Sequence, residues 1–277
     1  MRTGLLHLKE LDARLGLENR DPILEYYLPY NMTEMNRENQ KRPCLLIFPG
    51  GGYTFTSQRE AEPVALHFLP EGYNVFVLWY SCSPAQFPVQ LREAAAAMDC
   101  IAGHGEEWNC DTERIAVMGF SAGGHLAAHY STRYDCEAVR EWYPESRRPA
   151  ASILGYPVIR GDQLTHSGSL LNLVGHFPLT KEEERFFDCA ESVTPATPPA
   201  FLWHTAEDGT VPVENSLKYA AALSANKVSF EMHIFPKGFH GLSTCDEQTV
   251  EPRDVTDNLR RDAQWLMLVK QWLKKVL

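Results

Sequence analysis

A nucleophile, a base and an acid can be picked out of this chain by residue type and spacing. In Gly119-Phe120-Ser121-Ala122-Gly123, a serine has glycine two residues before it and two after. That pattern suits a serine on a sharp strand-to-helix turn, where close backbone leaves no room for flanking side chains. Such a turn lifts the hydroxyl clear of a sheet and aims the unpaired N–H groups of the helix start at whatever the serine attacks. The same five residues could also be an ordinary glycine-rich turn around a buried serine. Their context argues for chemistry, because a strand pattern (Arg114 to Met118) precedes them and a small-residue helix pattern (Gly124 to Ala128) follows.

Attack on an ester by serine needs a neutral imidazole in reach, a carboxylate to hold its tautomer, and preorganised donors for the oxyanion. In a strand–turn–helix architecture of this kind the acid and the base follow the serine on loops after later strands. Asp208 follows the apolar run Pro199–Thr205, and His240 follows Val228–Phe235. Glu207 is a rival acid, but the Asp-Gly-Thr-Val-Pro turn favours Asp208. Among ten histidines, His125 falls on the helix after the serine and reads as a structural hydrogen-bonder. His204 and His233 fall within strands, and His166 and His176 fall in a segment able to line a pocket. Oxyanion donors are expected from the N–H of Ala122 and from Gly51 or Gly52. The last two lie in the run Pro49-Gly50-Gly51-Gly52-Tyr53, which follows the buried-strand pattern Pro43–Phe48. Pocket lining is expected from Tyr53, Gln58, Tyr80, His176 and Phe177.

The elements that position these residues alternate. Strand patterns at Pro43–Phe48, Tyr73–Tyr80, Arg114–Met118, Ala151–Val158, Pro199–Thr205 and Val228–Phe235 are separated by helical patterns. The helices are expected at Glu60–Leu69, Pro88–Ala102, after Ser121, at Val213–Ser224 and at Thr256–Leu277. This rhythm predicts an α/β fold with a mostly parallel central β-sheet flanked by helices. Pro22–Tyr30 reads as an edge strand because of its prolines, and Met1–Asp21 as a polar arm. Residues of about 160–195 break the rhythm with short helices at Ser169–Val174 and Lys181–Phe187, and are read as a small lid insertion. A single domain over 1–277 is expected.

Composition narrows the function. The 277 residues are 44% hydrophobic and 22% charged, with a net charge of −10. An acidic chain argues against nucleic-acid binding. No apolar run is long enough to cross a membrane, and the charged first residues lack a signal-peptide core. Seven scattered cysteines without a C-x-x-C pair read as free thiols, with no metal site and a cytoplasmic location.

The glycine run, the serine turn, Asp208-Gly209-Thr210-Val211-Pro212 and Gly238-Phe239-His240-Gly241 together resemble the α/β hydrolases of the esterase and lipase type. They are most similar to bacterial carbohydrate-esterase members such as acetyl xylan and feruloyl esterases. The likeness runs from about Pro22 to the His240 turn. Pro49 stands where many such relatives carry a histidine, which bears on loop geometry rather than mechanism. The resemblance implies an α/β-hydrolase fold and a serine esterase without cofactor, acting on small acyl esters of sugar alcohols. An amide, arylformamide or short-peptide substrate needs the same three residues, and a non-catalytic binding module is a third reading. A homodimer is compatible with such folds.

Overall fold

In the computed structural model, which describes residues 1–251 and 254–277, one mixed sheet carries the site. The chain runs β1 (Arg2–His7), β2 (Ile23–Leu28), β3 (Arg42–Phe48), α1 (Glu62–Phe68), β4 (Asn74–Trp79), α2 (Val89–Gly103), β5 (Cys110–Phe120) and α3 (Ser121–Arg133). It continues through α4 (Glu137–Arg140), β6 (Ala151–Gly155), α5 (Ser167–Val174), α6 (Lys181–Phe187), β7 (Ala200–Thr205), α7 (Glu214–Ala225) and β8 (Phe230–Phe235), then α8 (Asp257–Asp262) and α9 (Gln264–Val276). Among the described residues the strand order is β1-β2-β4-β3-β5-β6-β7-β8. β1 and β2 pair antiparallel, β2 meets β4 antiparallel, and the remaining pairs are parallel.

The apolar runs of the parallel strands have a direct structural reading. Alternate side chains of one strand enter opposite layers, so a strand covered on both faces must be apolar throughout. Leu46 and Phe48 of β3 join Val117 and Leu154 in the layer beneath α2, α3 and α7. Leu45 and Ile47 join Met118, Ile153 and Trp203 in the layer beneath α1 and α9.

Three expectations are corrected here. Met1–Asp21 is not merely a polar arm, since Arg2–His7 pairs with β2 in register Arg2 to Leu28. The mixed polarity of β1 hid it, because this end strand is largely solvent-facing. β2 is consequently not the edge, and its flanking Pro22 and Pro29 bound the strand instead of marking a rim. The closing helix is two helices that meet at Ala263. The break lets Trp265 lie flat on Trp203, with ring centroids 4.9 Å apart, while its Nε1–H donates to the Ser243 carbonyl at 3.0 Å.

Fully buried Glu93 on α2 accepts hydrogen bonds from the Ser81 N–H (2.7 Å) and hydroxyl (2.6 Å). Burial pushes its pKa up to about 7 against the lowering effect of those bonds. The folded state therefore binds this proton more tightly than the unfolded chain. The stabilisation is complete below about pH 4.5 and is lost as pH rises through about 7. Glu93→Gln keeps the shape without the proton equilibrium. Melting curves at pH 5 and pH 8 are expected to show the variant gaining on wild type as pH rises; parallel behaviour would refute the assignment.

Candidate active site

Each of the three sequence-selected residues sits at the C-terminal end of a parallel strand. Ser121 opens α3 directly after β5, with a left-handed φ of 53°. Non-glycine residues hold that conformation only where surrounding contacts impose it. The contacts here are backbone on backbone. A Cβ on Gly119 would lie 2.0 Å from the Gly123 carbonyl oxygen, and one on Gly123 would lie 2.0 Å from that of Phe48. Both glycines are thus required for α3 to begin this close to β3.

Asp208 lies in the loop after β7. Its Oδ1 accepts from the N–H groups of Thr210 and Val211, each at 2.9 Å. Its Oδ2 accepts from His240 Nδ1 at 2.7 Å, and His204 Nε2 lies 3.3 Å away. Burial alone would raise the Asp208 pKa. Hydrogen bonds from His204 and His240, the charge on His240 and the Val211 N–H overcome it and hold the carboxyl well below the usual range. His240, in the loop after β8, faces the Ser121 Oγ across 2.7 Å from its Nε2. The bond network sets the tautomer: Nδ1–H donates to the carboxylate and Nε2 accepts from the serine hydroxyl. Glu207, the rival acid, is exposed and faces Lys237 at 3.6 Å.

His204 is a satisfied core histidine that also braces the acid. Its Nδ1 takes the Ser216 hydroxyl at 2.8 Å, and its Nε2 approaches the Val211 carbonyl at 3.0 Å. His125 is likewise structural, held between the Tyr53 hydroxyl at 2.9 Å and the Phe187 carbonyl at 3.0 Å.

The glycine loop curls over the serine. Gly51 (φ 125°) and Gly52 (φ 64°) are in the left-handed region. The Gly50 carbonyl accepts from Ser57 N–H and the Gly51 carbonyl from Thr54 and Phe55 N–H. No described residue accepts from the N–H of Gly51 or Gly52, and both glycines line the cleft above Ser121. Ala122, second in α3, has an N–H without an intrahelical acceptor. Unpaired N–H groups of this kind can donate to a negatively charged oxygen.

The cleft holds about 370 Å³, and Thr54, Arg59, His166, Asn172 and Thr210 are among the residues that line it. Asn172 on α5 donates to the Gly52 carbonyl at 2.8 Å and the Thr54 hydroxyl at 2.7 Å, tying the 160–195 segment to the glycine loop. His166 accepts from Ser169 and is held below its ordinary pKa chiefly by burial.

The five pocket residues expected from the sequence do not line this cleft. Tyr53 and Tyr80 are buried in the core under the loop, the Tyr80 hydroxyl donating to the Pro49 carbonyl at 2.6 Å. Gln58 points to solvent from a short turn whose buried members are Ser57 and Glu60. Gly175, left-handed at φ 93°, ends α5 and turns the chain away from the cleft. His176 and Phe177 follow it to the exposed surface, where His176 meets Glu183 at 3.0 Å. Only the segment before that turn reaches the site.

Two family models match: BD-FAE over residues 27–154 and the prolyl oligopeptidase family over residues 175–264. An acetyl ester-xyloside bifunctional hydrolase from Caldicellulosiruptor lactoaceticus superposes with a TM-score of 0.84 at 35% identity, covering 99% of this chain and 97% of that one. MGS-M1, an α/β hydrolase from a deep-sea metagenome, superposes at 0.76 with 33% identity, covering 100% and 98% of the two chains. The chain belongs to the α/β-hydrolase family.

Curated relatives of this α/β hydrolase include endo-1,4-β-xylanase B of Butyrivibrio fibrisolvens, 36% identical over 80% of this chain and 36% of the relative. Another is an acetylxylan esterase of Xylanibacter ruminicola, 28% identical over 74% of this chain and 42% of the relative. The chain thus spans well under half the length of either. No helix among the described residues is long and apolar enough to cross a membrane, and those residues contain no group of three or more His, Cys, Asp or Glu side chains that could hold a metal ion.

Proposed function

We propose that this chain is a serine carboxylic-ester hydrolase for small acyl esters, with acetylated sugar alcohols such as xylo-oligosaccharides as the substrate class. The observation that carries the reading is the unbroken line from Ser121 Oγ through His240 to Asp208, with 2.7 Å at each link. Ser121 attacks the ester carbonyl while His240 takes its proton. The oxyanion is received by the N–H groups of Ala122, Gly51 and Gly52. His240 then returns the proton to the leaving alcohol, and water frees the acyl group by the reverse route. Asp208 keeps His240 in the productive tautomer and stabilises the imidazolium.

The cleft favours short acyl groups and polar alcohols. Its side chains offer hydrogen bonds suited to sugar hydroxyls. Phe55 is the large apolar residue among the described lining, and the space behind the loop is filled by Tyr53 and Tyr80. A long acyl chain therefore meets no apolar bore. Residues 160–195 serve as a lid through α5. Acetyl esters in two named relatives agree with this substrate class. The prolyl oligopeptidase match over the segment carrying Asp208 and His240 favours amide cleavage as the second reading.

A panel of p-nitrophenyl acetate, butyrate and octanoate, with an anilide of acetate beside them, separates these readings. kcat/KM is expected to be highest for acetate and to fall by about 10-fold or more by octanoate, because each buried methylene needs apolar surface to gain from. Faster turnover of the anilide than of the acetate ester would move the amide reading ahead.

A further inference from the structure

Glu60 is the acid that this chemistry leaves unassigned. It is 3% exposed yet borders the cleft. Its Oε2 accepts from the Gly50 N–H at 2.7 Å, at the start of the oxyanion loop. Its Oε1 accepts from the Tyr156 hydroxyl at 2.6 Å, and that hydroxyl accepts from the Ser243 N–H at 3.0 Å. The Tyr156 ring meets His240 edge-on, with centroids 5.0 Å apart. One carboxylate therefore joins the loop above the serine to the ring beside the base.

Two further observations locate it. A Cβ on Gly50 would lie 2.7 Å from Glu60 Oε2 and 3.0 Å from the Ser121 Cβ, so carboxylate and nucleophile flank the same backbone atom. Tyr156 holds a positive φ of 35°, a conformation that persists only where its surroundings fix it. A carboxylate buried beside a base that must become cationic lowers the energy of that cation.

We propose that Glu60 is a positioning residue of the hydrolytic site: through Gly50 it fixes the donor loop, and through Tyr156 and its own charge it favours protonated His240 while the oxyanion exists. The inference rests on the Ser121–His240 reading given above. Glu60 exchanges no proton with substrate; the proton moves between Ser121 Oγ and His240 Nε2. Burial raises the Glu60 pKa, while the Tyr156 and Gly50 hydrogen bonds and the charges of His240 and Arg59 lower it. The groups facing His240 are Asp208, Glu60, Tyr156 and His166; Arg59 and Tyr80 face Glu60.

The test measures kcat and KM of the full chain on p-nitrophenyl acetate across about pH 5 to 9. Glu60→Gln keeps the size and removes the charge. It is expected to lose about 10-fold in kcat with little change in KM. The acidic limb of its kcat/KM profile moves to lower pH, because His240 then loses its proton more readily. Glu60→Asp keeps the charge, so its acidic limb returns toward the wild-type position even where its shorter reach leaves kcat low. A fall in kcat with the limb unmoved would reduce Glu60 to a brace and overturn the inference, as would wild-type behaviour of Glu60→Gln. If Glu60→Gln does not fold, Tyr156→Phe, which keeps the ring and cuts the link, must show the same direction in both readouts; no change in it overturns the inference. An inert wild type would sink the esterase reading and this inference with it, whereas an active wild type with an unaffected Glu60→Gln sinks the inference alone.

Discussion

Replacing Ser121 with alanine is expected to lower kcat on p-nitrophenyl acetate by about a millionfold, with folding and KM little changed. The magnitude follows from how the site is wired. His240 Nε2 has the Ser121 hydroxyl as its hydrogen-bond partner at 2.7 Å, and Asp208 acts only through His240. Removing the hydroxyl strands both at once, so the loss approaches that of the whole triad. What survives is the background from the donors of the glycine loop and Ala122, which still polarise a bound carbonyl. Labelling with a fluorophosphonate checks the same assignment without turnover, since the adduct must vanish in Ser121→Ala. A variant within tenfold of wild type would mean that another residue is the nucleophile.

Gly123→Ala is expected to be a severely damaging addition of a single methyl. The new Cβ would stand 2.0 Å from the Phe48 carbonyl oxygen and 2.4 Å from that of Pro49. Both obstacles are backbone, one on β3 and one at the head of the glycine loop, so neither can swing aside as a side chain would. Either α3 withdraws and carries Ser121 with it, or the strand end moves and carries the oxyanion donors. Displacement of about 1 Å costs about 100-fold in rate, and overpacking of this kind costs about 3 kcal/mol or more. Denaturant unfolding and acetate turnover should fall together. Gly103→Ala is the control: nothing lies within 4 Å of its Cβ, and a change within about 1 kcal/mol in the stabilising direction is expected there. A Gly123→Ala protein that melts and reacts like wild type would refute the close-contact account of the turn.

The proposed triad was legible in the sequence because its constraints are local and severe. Ser121 needs glycine on both sides, and Asp208 and His240 need turns at strand ends, so each leaves a mark in a few consecutive residues. The doubly buried strands β3 to β7 were legible for the same reason, through unbroken apolar runs. Lining residues leave no such mark. Arg59, Asn172 and Thr210 reach the cleft only through how separate segments pack together, and nothing in their sequence neighbours records it. Tyr53 follows the glycine run and Tyr80 closes a strand pattern, yet both rings are buried in the core. Gly175 held a usable signal. A glycine closing a helix pattern marks a left-handed cap, and such a cap redirects the chain, which removes His176 and Phe177 from the site. Glu60 read as a helix start, since burial of its carboxylate depends on Gly50 and Tyr156, which lie 10 and 96 residues away.

The Ser121–His240 hydrogen bond, on which the proposed chemistry depends, joins residues 119 positions apart, and the His240–Asp208 bond spans another 32. Ser121 is made before His240, on β5, whereas His240 is placed only when β8 has docked on β7. Until then the growing chain exposes a serine hydroxyl no more reactive than any other alcohol. Between the two lie β6, the segment of residues 160–195, β7 and α7, all of which must close before the imidazole arrives. On the proposed chemistry, competence thus waits for β8, and a nascent chain stalled before β8 is expected to be inert.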